Sequence, residues 1–386
     1  MFFFKPLFLS VMAIGSMPLA NANQETPEPF PIRVADWPDN RSAAFTFTFD
    51  DGYVSHYEHA RPVLNEFGFQ GTFYLYPGAL SESLPGKWRH GTWAMFQEMA
   101  DEGHEMGSHT VTHPRLTTLP MGDAETPGTI MHELTESRKL IEERIPAAAP
   151  CITFAYPYVD RNESVDEVVS GIYLSARGGG QGGNDSRNPV WMNLTSPAIM
   201  HDQPRNLLAE DLRELYGQLE MIHQSILKGE WHILMLHEVV PQAQIPDAIA
   251  QGSWEPVSTE AFTILCQWIQ TRAALGEVWV DTMGNLTRYV RQRNDARINI
   301  LRTAEDSLVF EVADGLDDSI FDFPLTVIIS VPEGWTHATV IQGKHQQNCV
   351  VDAADGNTVK CQVTPDQGQV TVSIHHPANP PSDGNP

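Results

Sequence analysis

Residues Ala43 to Gly52 read AAFTFTFDDG. Phe45, Phe47 and Phe49 alternate with Thr46 and Thr48, the period of two expected of a β-strand. The strand runs straight into two adjacent carboxylates, Asp50 and Asp51, and a glycine. Two acids at the mouth of an apolar strand are unfavourable unless something positive binds there.

Outward from this strand, short apolar runs alternate with amphipathic stretches. Further strands are expected over Gly71 to Tyr76, His104 to Ser108, Ile152 to Ala155, Ile172 to Ala176, His232 to Leu236 and Glu277 to Asp281. Helical patterns lie near Tyr57 to Phe67, Thr92 to Glu102, Ile130 to Arg144, Leu207 to Leu227 and Thr259 to Leu275. The clearest is Leu207 to Leu227, where Leu208, Leu212, Leu215, Leu219, Ile222 and Ile226 keep a three-to-four spacing. Strand and helix in alternation imply parallel strands with right-handed crossovers. Seven strands rather than eight predict an α/β fold, a distorted (β/α)7 barrel over residues 32–293.

After Arg293 the texture changes. Residues 296–376 carry short runs (INIL, SLVFEV, LTVIISV, ATVIQ, VTVSI) punctuated by Asp-Gly, Pro and Gly, and predict a C-terminal all-β, sandwich-like domain. The segment NLTRYVRQRN reads as a helix joining the two. Residues 377–386, ANPPSDGNP with the preceding Pro, read as a disordered tail. The only tryptophan of the β domain is Trp335, so a structural module is expected there rather than a sugar-binding one.

The opening MFFFKPLFLSVMAIGSMPLANA has one cation, Lys5, an apolar run and small residues before Ala22. It reads as a signal peptide, 1–22, and predicts a secreted or periplasmic protein with no membrane span. The balance of 24 Lys+Arg against 49 Asp+Glu gives a net charge of -25. Such a field repels phosphate backbones, so no nucleic acid is expected as partner, and it disfavours anionic polymers at long range. Of four cysteines, Cys349 and Cys361 bracket VVDAADGNTVK, two short strands around an Asp-Gly turn, and a cross-strand disulfide is expected there. Cys151 and Cys266 are expected as buried thiols.

Chemistry-bearing residues fall at the carboxyl ends of predicted strands: Asp50 and Asp51 after the first, His109 and His113 after the third, His237 after the sixth. Parallel barrels gather those ends on one face. Two histidines four apart with one carboxylate make three protein ligands and leave positions open, as a catalytic zinc or similar divalent metal requires. One aspartate can bind metal while the other stays free as a base beside metal-bound water, with His237 protonating the leaving group.

TFDDG (Thr48 to Gly52), HTVTH (His109 to His113), FAYPY (Phe154 to Tyr158) and LMLH (Leu234 to His237) occur in that order. Together they resemble motifs of the NodB-like polysaccharide deacetylases, carbohydrate esterase family 4. The resemblance implies Asp51, His109 and His113 as ligands of a divalent metal, usually zinc, Asp50 as general base and His237 as general acid. It further implies the Tyr158 N–H in the oxyanion hole and Leu236 lining the pocket for the acetyl methyl; Tyr156 is a further candidate for substrate contact. Many members carry an arginine, which steadies the base, where this chain has Ala155; Arg177 is the candidate replacement. The family's fourth motif is not recognisable, with Trp191 as the candidate aromatic and Asp185 or Asp202 its partner. Trp88, Trp93 and Tyr53 are candidates for stacking on sugars.

The resemblance implies a metal-dependent hydrolase acting on C–N (non-peptide) or carboxylic ester bonds. It would remove acetyl groups from an N-acetylglucosamine-containing glycan or acetylxylan, with metal-bound water attacking the acetyl carbonyl. The competing expectation is a non-catalytic carbohydrate-binding protein on the same scaffold.

Overall fold

A computed structural model describes residues 30–83, 90–199 and 207–374, with side chains from residue 215 onward in the last stretch. The expected leader 1–22, the expected tail 377–386, Trp88 and Asp202 lie outside the described residues.

The first part of the chain runs β1 (Ile32–Val34), β2 (Ala43–Phe49), α1 (Arg61–Phe67), β3 (Thr72–Leu75), α2 (Trp93–Asp101), β4 (Glu105–Ser108), α3 (Ile130–Arg144), β5 (Thr153–Ala155), α4 (Glu163–Ser170) and β6 (Ser175–Arg177). It continues through α5 (Leu207–Lys228), β7 (Trp231–Leu236), β8 (Val239–Val240), α6 (Ile245–Ala250), β9 (Val257–Ser258), α7 (Thr259–Ala274), β10 (Val278–Val280) and α8 (Met283–Asp295). Seven of these strands form one parallel sheet with β2 at its hub. Along one edge β2 pairs with β10 at Ala43–Phe45 and with β3 at Thr48–Phe49; along the other, Ala44–Phe49 pairs with β7. Beyond β3 the order is β4, β5, β6. Between β6 and β7 the chain is carried by single bridges, Arg177 with Leu194 and Ala198 with Met235. This is a distorted (β/α)7 barrel, irregular between β6 and β7, where isolated bridges replace continuous pairing.

Alternation in β2 sorts its two faces. Phe45, Phe47 and Phe49 point outward under the helices, with Phe47 and Phe49 edge-on to Phe262 of α7 at 5.6 and 5.8 Å. Thr46 and Thr48 point into the barrel, fully buried. Their hydroxyls are satisfied there: Trp231 Nε1 donates to Thr46 Oγ1 at 3.0 Å, and Thr48 Oγ1 donates to the Leu234 carbonyl at 2.8 Å. Parallel strands are buried on both faces, which is why the polar side of this strand is threonine rather than a charged residue. The next inward position is Asp50.

β6 lies later than its sequence pattern predicts. Ile172 and Tyr173 close α4, the Tyr173 N–H bonding to the Val169 carbonyl at 2.8 Å, so the strand starts at Ser175 and includes Arg177.

Beyond α8 lie β11 (Arg297–Ala304), β12 (Ser307–Ala313), β13 (Leu325–Ser330), β14 (His337–Gln342), β15 (His345–Val350), β16 (Thr358–Val363) and β17 (Val370–Ile374). All pairings are antiparallel, in two sheets, β1-β13-β16 and β11-β12-β17-β14-β15, around a shared apolar core. The early strand β1 thus belongs to this sandwich, not to the barrel. Trp335 is buried against Phe30 at 5.9 Å, and no aromatic of the module is exposed among the described residues. Cys349 and Cys361 are free thiols, against the expected disulfide: β15 and β16 do not pair with each other but lie in opposite sheets. Cys151 and Cys266 are buried free thiols. No helix among the described residues is long and apolar enough to cross a membrane.

Candidate active site

The carboxyl ends of β2, β4, β5 and β7 surround a cavity of about 370 Å³ lined by Asp50, Asp51, His109, His113, Tyr158 and His237, among others. At the end of β2 the backbone turns sharply, with φ of 77° at Asp51 and 65° at Gly52. An added Cβ at Gly52 would meet Leu75 at 3.1 Å and Leu80 at 3.2 Å, so glycine is needed there. Aspartate tolerates the left-handed region better than most residues. His90 secures the turn through a 2.8 Å hydrogen bond between its Nδ1 and the Asp51 carbonyl.

The His109–His113 loop is also strained, with φ of 66° at Thr110 and 60° at His113. Its restraint comes from a residue that the sequence reading missed. Buried Glu133 of α3 accepts the N–H groups of Val111 and Thr112 at 2.8 and 2.9 Å and the Thr112 hydroxyl at 2.8 Å. Thr110 Oγ1 accepts the His113 N–H at 3.0 Å. His109 Nδ1 donates to the Ala155 carbonyl at 2.7 Å, which leaves its Nε2 a bare lone pair aimed into the cavity.

Three potential ligand atoms converge. His109 Nε2 lies 3.2 Å from His113 Nε2 and 3.7 Å from Asp51 Oδ1, and His113 Nε2 lies 3.3 Å from that oxygen. A point equidistant from all three is about 2.0 Å from each, the length of a zinc–nitrogen or zinc–oxygen bond. Asp51 Oδ1 is buried and has no hydrogen-bond partner among the described residues. Burial first, and the Asp50 charge second, push the Asp51 carboxyl up to about 7. Burial pulls His109 down to about 3 and lowers His113, so both imidazoles are neutral. An unpartnered carboxylate oxygen facing two neutral imidazole nitrogens is a donor set that fits a divalent cation.

Asp50 is held differently. Arg177 Nη2 donates to Asp50 Oδ1 at 2.6 Å and also to Oδ2, and both side chains are almost fully buried. Burial raises the Asp50 carboxyl, but the charges of Arg177, His109 and His237 and the Arg177 hydrogen bond outweigh it and hold the pKa down to about 2. Arg177 pairs in register with Ala155 across β5 and β6, so both side chains leave the sheet on the same face. The small side chain of Ala155 is no obstacle to the guanidinium that reaches Asp50. The cation expected at Ala155 is thus supplied from one strand away.

His237 Nε2 stands 3.9 Å from Asp50 Oδ2. Burial pulls its pKa down to about 4, with Arg177 and His113 acting the same way and Asp50 against them. His56, in a π-helical turn (His56–Ala60) just after the DDG turn, contacts the His237 carbonyl through Nε2 at 2.9 Å. The ring of Trp254, which the sequence reading also missed, packs edge-on to His237 at 4.6 Å.

The wall corrects two expected contacts. Met235, not Leu236, lines the cavity: inward positions of β7 are Trp231, Ile233, Met235 and then His237, whereas Leu236 faces out into the helix-covered core. Trp191 does not reach the cavity but lies under the Arg291 guanidinium at 4.3 Å. Asp185 caps its own loop through the N–H groups of Arg187 and Asn188, each at 2.7 Å. Trp93 is buried in the core, and Tyr53 stacks on His90 at 5.0 Å. Tyr156 does line the cavity, but its hydroxyl donates to Asp166 at 3.0 Å. Tyr158 lies on the wall with φ of 58°, its ring 4.6 Å from that of His113.

Residues 38–174 match the family model described as polysaccharide deacetylase. This segment is similar to the polysaccharide deacetylases. It spans β2 to α4 and holds the DDG turn and the His109–His113 loop. The chain is similar to YxkH of Bacillus subtilis (strain 168), named for the polysaccharide deacetylases, at 33% identity over 30% of this chain and 37% of that protein. It is also similar to a gellan lyase of Bacillus sp, at 24% identity over 88% of this chain and 13% of that protein. The chain therefore spans much less than half the length of either relative. Among solved structures, it resembles the Xyl-CE4 domain of a multidomain xylanase from the hindgut metagenome of Trinervitermes trinervoides. That likeness has 16% identity and a TM-score of 0.36 over 62% of this chain and 97% of that one.

Proposed function

We propose that this domain hydrolyses acetyl groups from an acetylated polysaccharide or oligosaccharide, either an N-acetylglucosamine-containing glycan or an acetylxylan. The observation that carries the reading is the position of Asp50: a buried carboxylate kept ionised by Arg177, beside a three-ligand cation site. Asp51, His109 and His113 would hold the metal, most simply zinc, which when bound supplies Lewis acidity to a water and to the acetyl carbonyl.

Asp50 accepts the proton of the attacking water, and Arg177 keeps its carboxylate from turning away. His237 delivers a proton to the departing nitrogen or oxygen. Burial keeps His237 neutral at rest, so that proton arrives during the reaction, and Asp50, 3.9 Å away, is placed to pass it. The backbone N–H of Tyr158 is assigned to the developing oxyanion. Met235 offers an apolar surface to the acetyl methyl. The absence of an arginine at Ala155 gives no support to a non-catalytic reading, because Arg177 stands behind the base. The likeness to a gellan lyase supports a glycan-directed role without transferring lyase chemistry. The leader-like residues 1–22 support action outside the cytoplasm.

The test is acetate release from chitin oligomers and from acetylated xylan, assayed with zinc or cobalt present. Release from either class supports the reading and chooses the bond type. Binding of both with no acetate from either would overturn it.

A further inference from the structure

The mouth of the cavity carries a cation held only by one long ion pair. Arg115, two residues past His113, lines the mouth with its side chain 57% exposed. Its guanidinium carbon lies over the Tyr158 ring, 4.5 Å from the ring centre, a cation–π contact that keeps it at the mouth. The nearest acid, Asp160, is 3.9 Å away and already engaged. One of its oxygens accepts the Thr117 N–H at 2.8 Å, and the Thr117 hydroxyl lies within 2.9 Å of both. Among the described residues the Arg115 guanidinium makes no hydrogen bond of its own. Of the other cations at this end of the barrel, Arg177 is committed to Asp50 and Arg161 to Asp166.

Exposed apolar surface gathers at the same mouth. Tyr158, Val159 and Trp254 are 58, 41 and 44% exposed and all line it. Aromatic faces suit the C–H surface of a sugar ring. A planar guanidinium suits a carboxylate, which it can engage through two parallel hydrogen bonds.

We propose that the substrate is an acetylated glycan bearing a carboxylate close to the acetylated position, and that Arg115 is the residue that selects it. The proposal rests on the deacetylase reading of the cavity. The net charge of -25 opposes an anionic chain only at long range, since charges are screened beyond about 8 Å at physiological salt. A direct guanidinium–carboxylate contact acts well inside that distance. The overall field slows the approach of such a glycan, and the local contact decides whether it stays.

The probes are oligosaccharides from acetylated glucuronoxylan and from peptidoglycan containing N-acetylmuramic acid, each as the free acid and with its carboxylate converted to an amide. Binding is read by calorimetry and turnover by acetate release, for the wild type and for Arg115→Gln. The expected result is a preference of about tenfold for the acid form from one of the two sources, abolished in Arg115→Gln while the amide is handled as before. Equal binding of acid and amide by the wild type, or an equal loss of both in Arg115→Gln, would overturn the proposal. Acid-selective binding without acetate release would uphold Arg115 and count against the deacetylase reading. Acetate release without acid preference would do the reverse.

Discussion

Ala155 and Arg177 are register partners on neighbouring parallel strands, and the small residue is what lets the large one reach Asp50. Asp50 and Arg177 are separated by 127 residues in sequence but share one buried ion pair. Removing one partner of such a pair leaves an uncompensated charge and destabilises a fold by about 3–5 kcal/mol. Arg177→Ala is therefore expected to lower the melting temperature and to reduce kcat by tenfold or more. The acid limb of its pH–activity profile should move upward, because the largest influence opposing burial of the Asp50 carboxyl is then gone. Adding Ala155→Arg to Arg177→Ala should recover part of both losses. Thermal melts and pH–rate profiles of the three variants check this, and an unshifted acid limb would separate Arg177 from the base.

Ligand and acid roles divide the histidines. His109→Ala should lose bound metal by elemental analysis, whereas His237→Ala keeps it and loses turnover. Equal metal content in the two variants would refute the division.

Glu133 tests whether the strained ligand loop needs its clamp. Three hydrogen bonds from residues 111 and 112 end on this one buried carboxylate. Outer contacts of this kind typically account for about 10- to 100-fold in metal affinity. Glu133→Ala should weaken cobalt(II) binding to that extent and alter the visible spectrum of the cobalt-loaded protein, with Glu133→Gln intermediate. An unchanged affinity and spectrum would reduce Glu133 to a packing residue.

His232 gives a pH dependence of stability independent of the metal site. It lies inside the fold, stacked on Phe45 at 5.8 Å, with Nδ1 3.0 Å from Ser225 Oγ, and burial pulls its pKa down to about 3. The unfolded chain, with a histidine pKa of about 6.5, then binds more protons than the folded one between about pH 3 and 6.5, so stability falls as pH drops through that window. Denaturant midpoints measured from pH 7 to 4 should decline, and His232→Asn should flatten the slope. Parallel slopes in the two proteins would contradict the assignment.

The fold was legible because period and order are local properties. Phe45, Phe47 and Phe49 announce a strand, Leu208 to Ile226 a helix, and their alternation a parallel barrel. The candidate site was legible because the parallel topology collects strand ends, so Asp50, His109 and His237 had to approach one another. What escaped depends on details that periodicity does not carry. The end of α4 delayed β6, so Arg177, already the candidate cation, lies within the strand and faces Asp50. The parity of β7 exchanged Leu236 for Met235, although counting back by two from inward-facing His237 would have found it. Trp254 and Glu133 lie in a loop and on a helix with no motif of their own, and only the packed structure brings them to the site. The Cys349–Cys361 pairing failed because two strands adjacent in sequence were assumed to be adjacent in one sheet.

The central claim is that Asp50 acts as a base beside a cation held by Asp51, His109 and His113. The most direct measurement is acetate release from an acetylated oligosaccharide by metal-depleted protein, by zinc- or cobalt-restored protein, and by restored Asp50→Ala. The account predicts turnover only in the restored wild type, with Asp50→Ala retaining metal but inactive. Full turnover after metal depletion, or by restored Asp50→Ala, would contradict it.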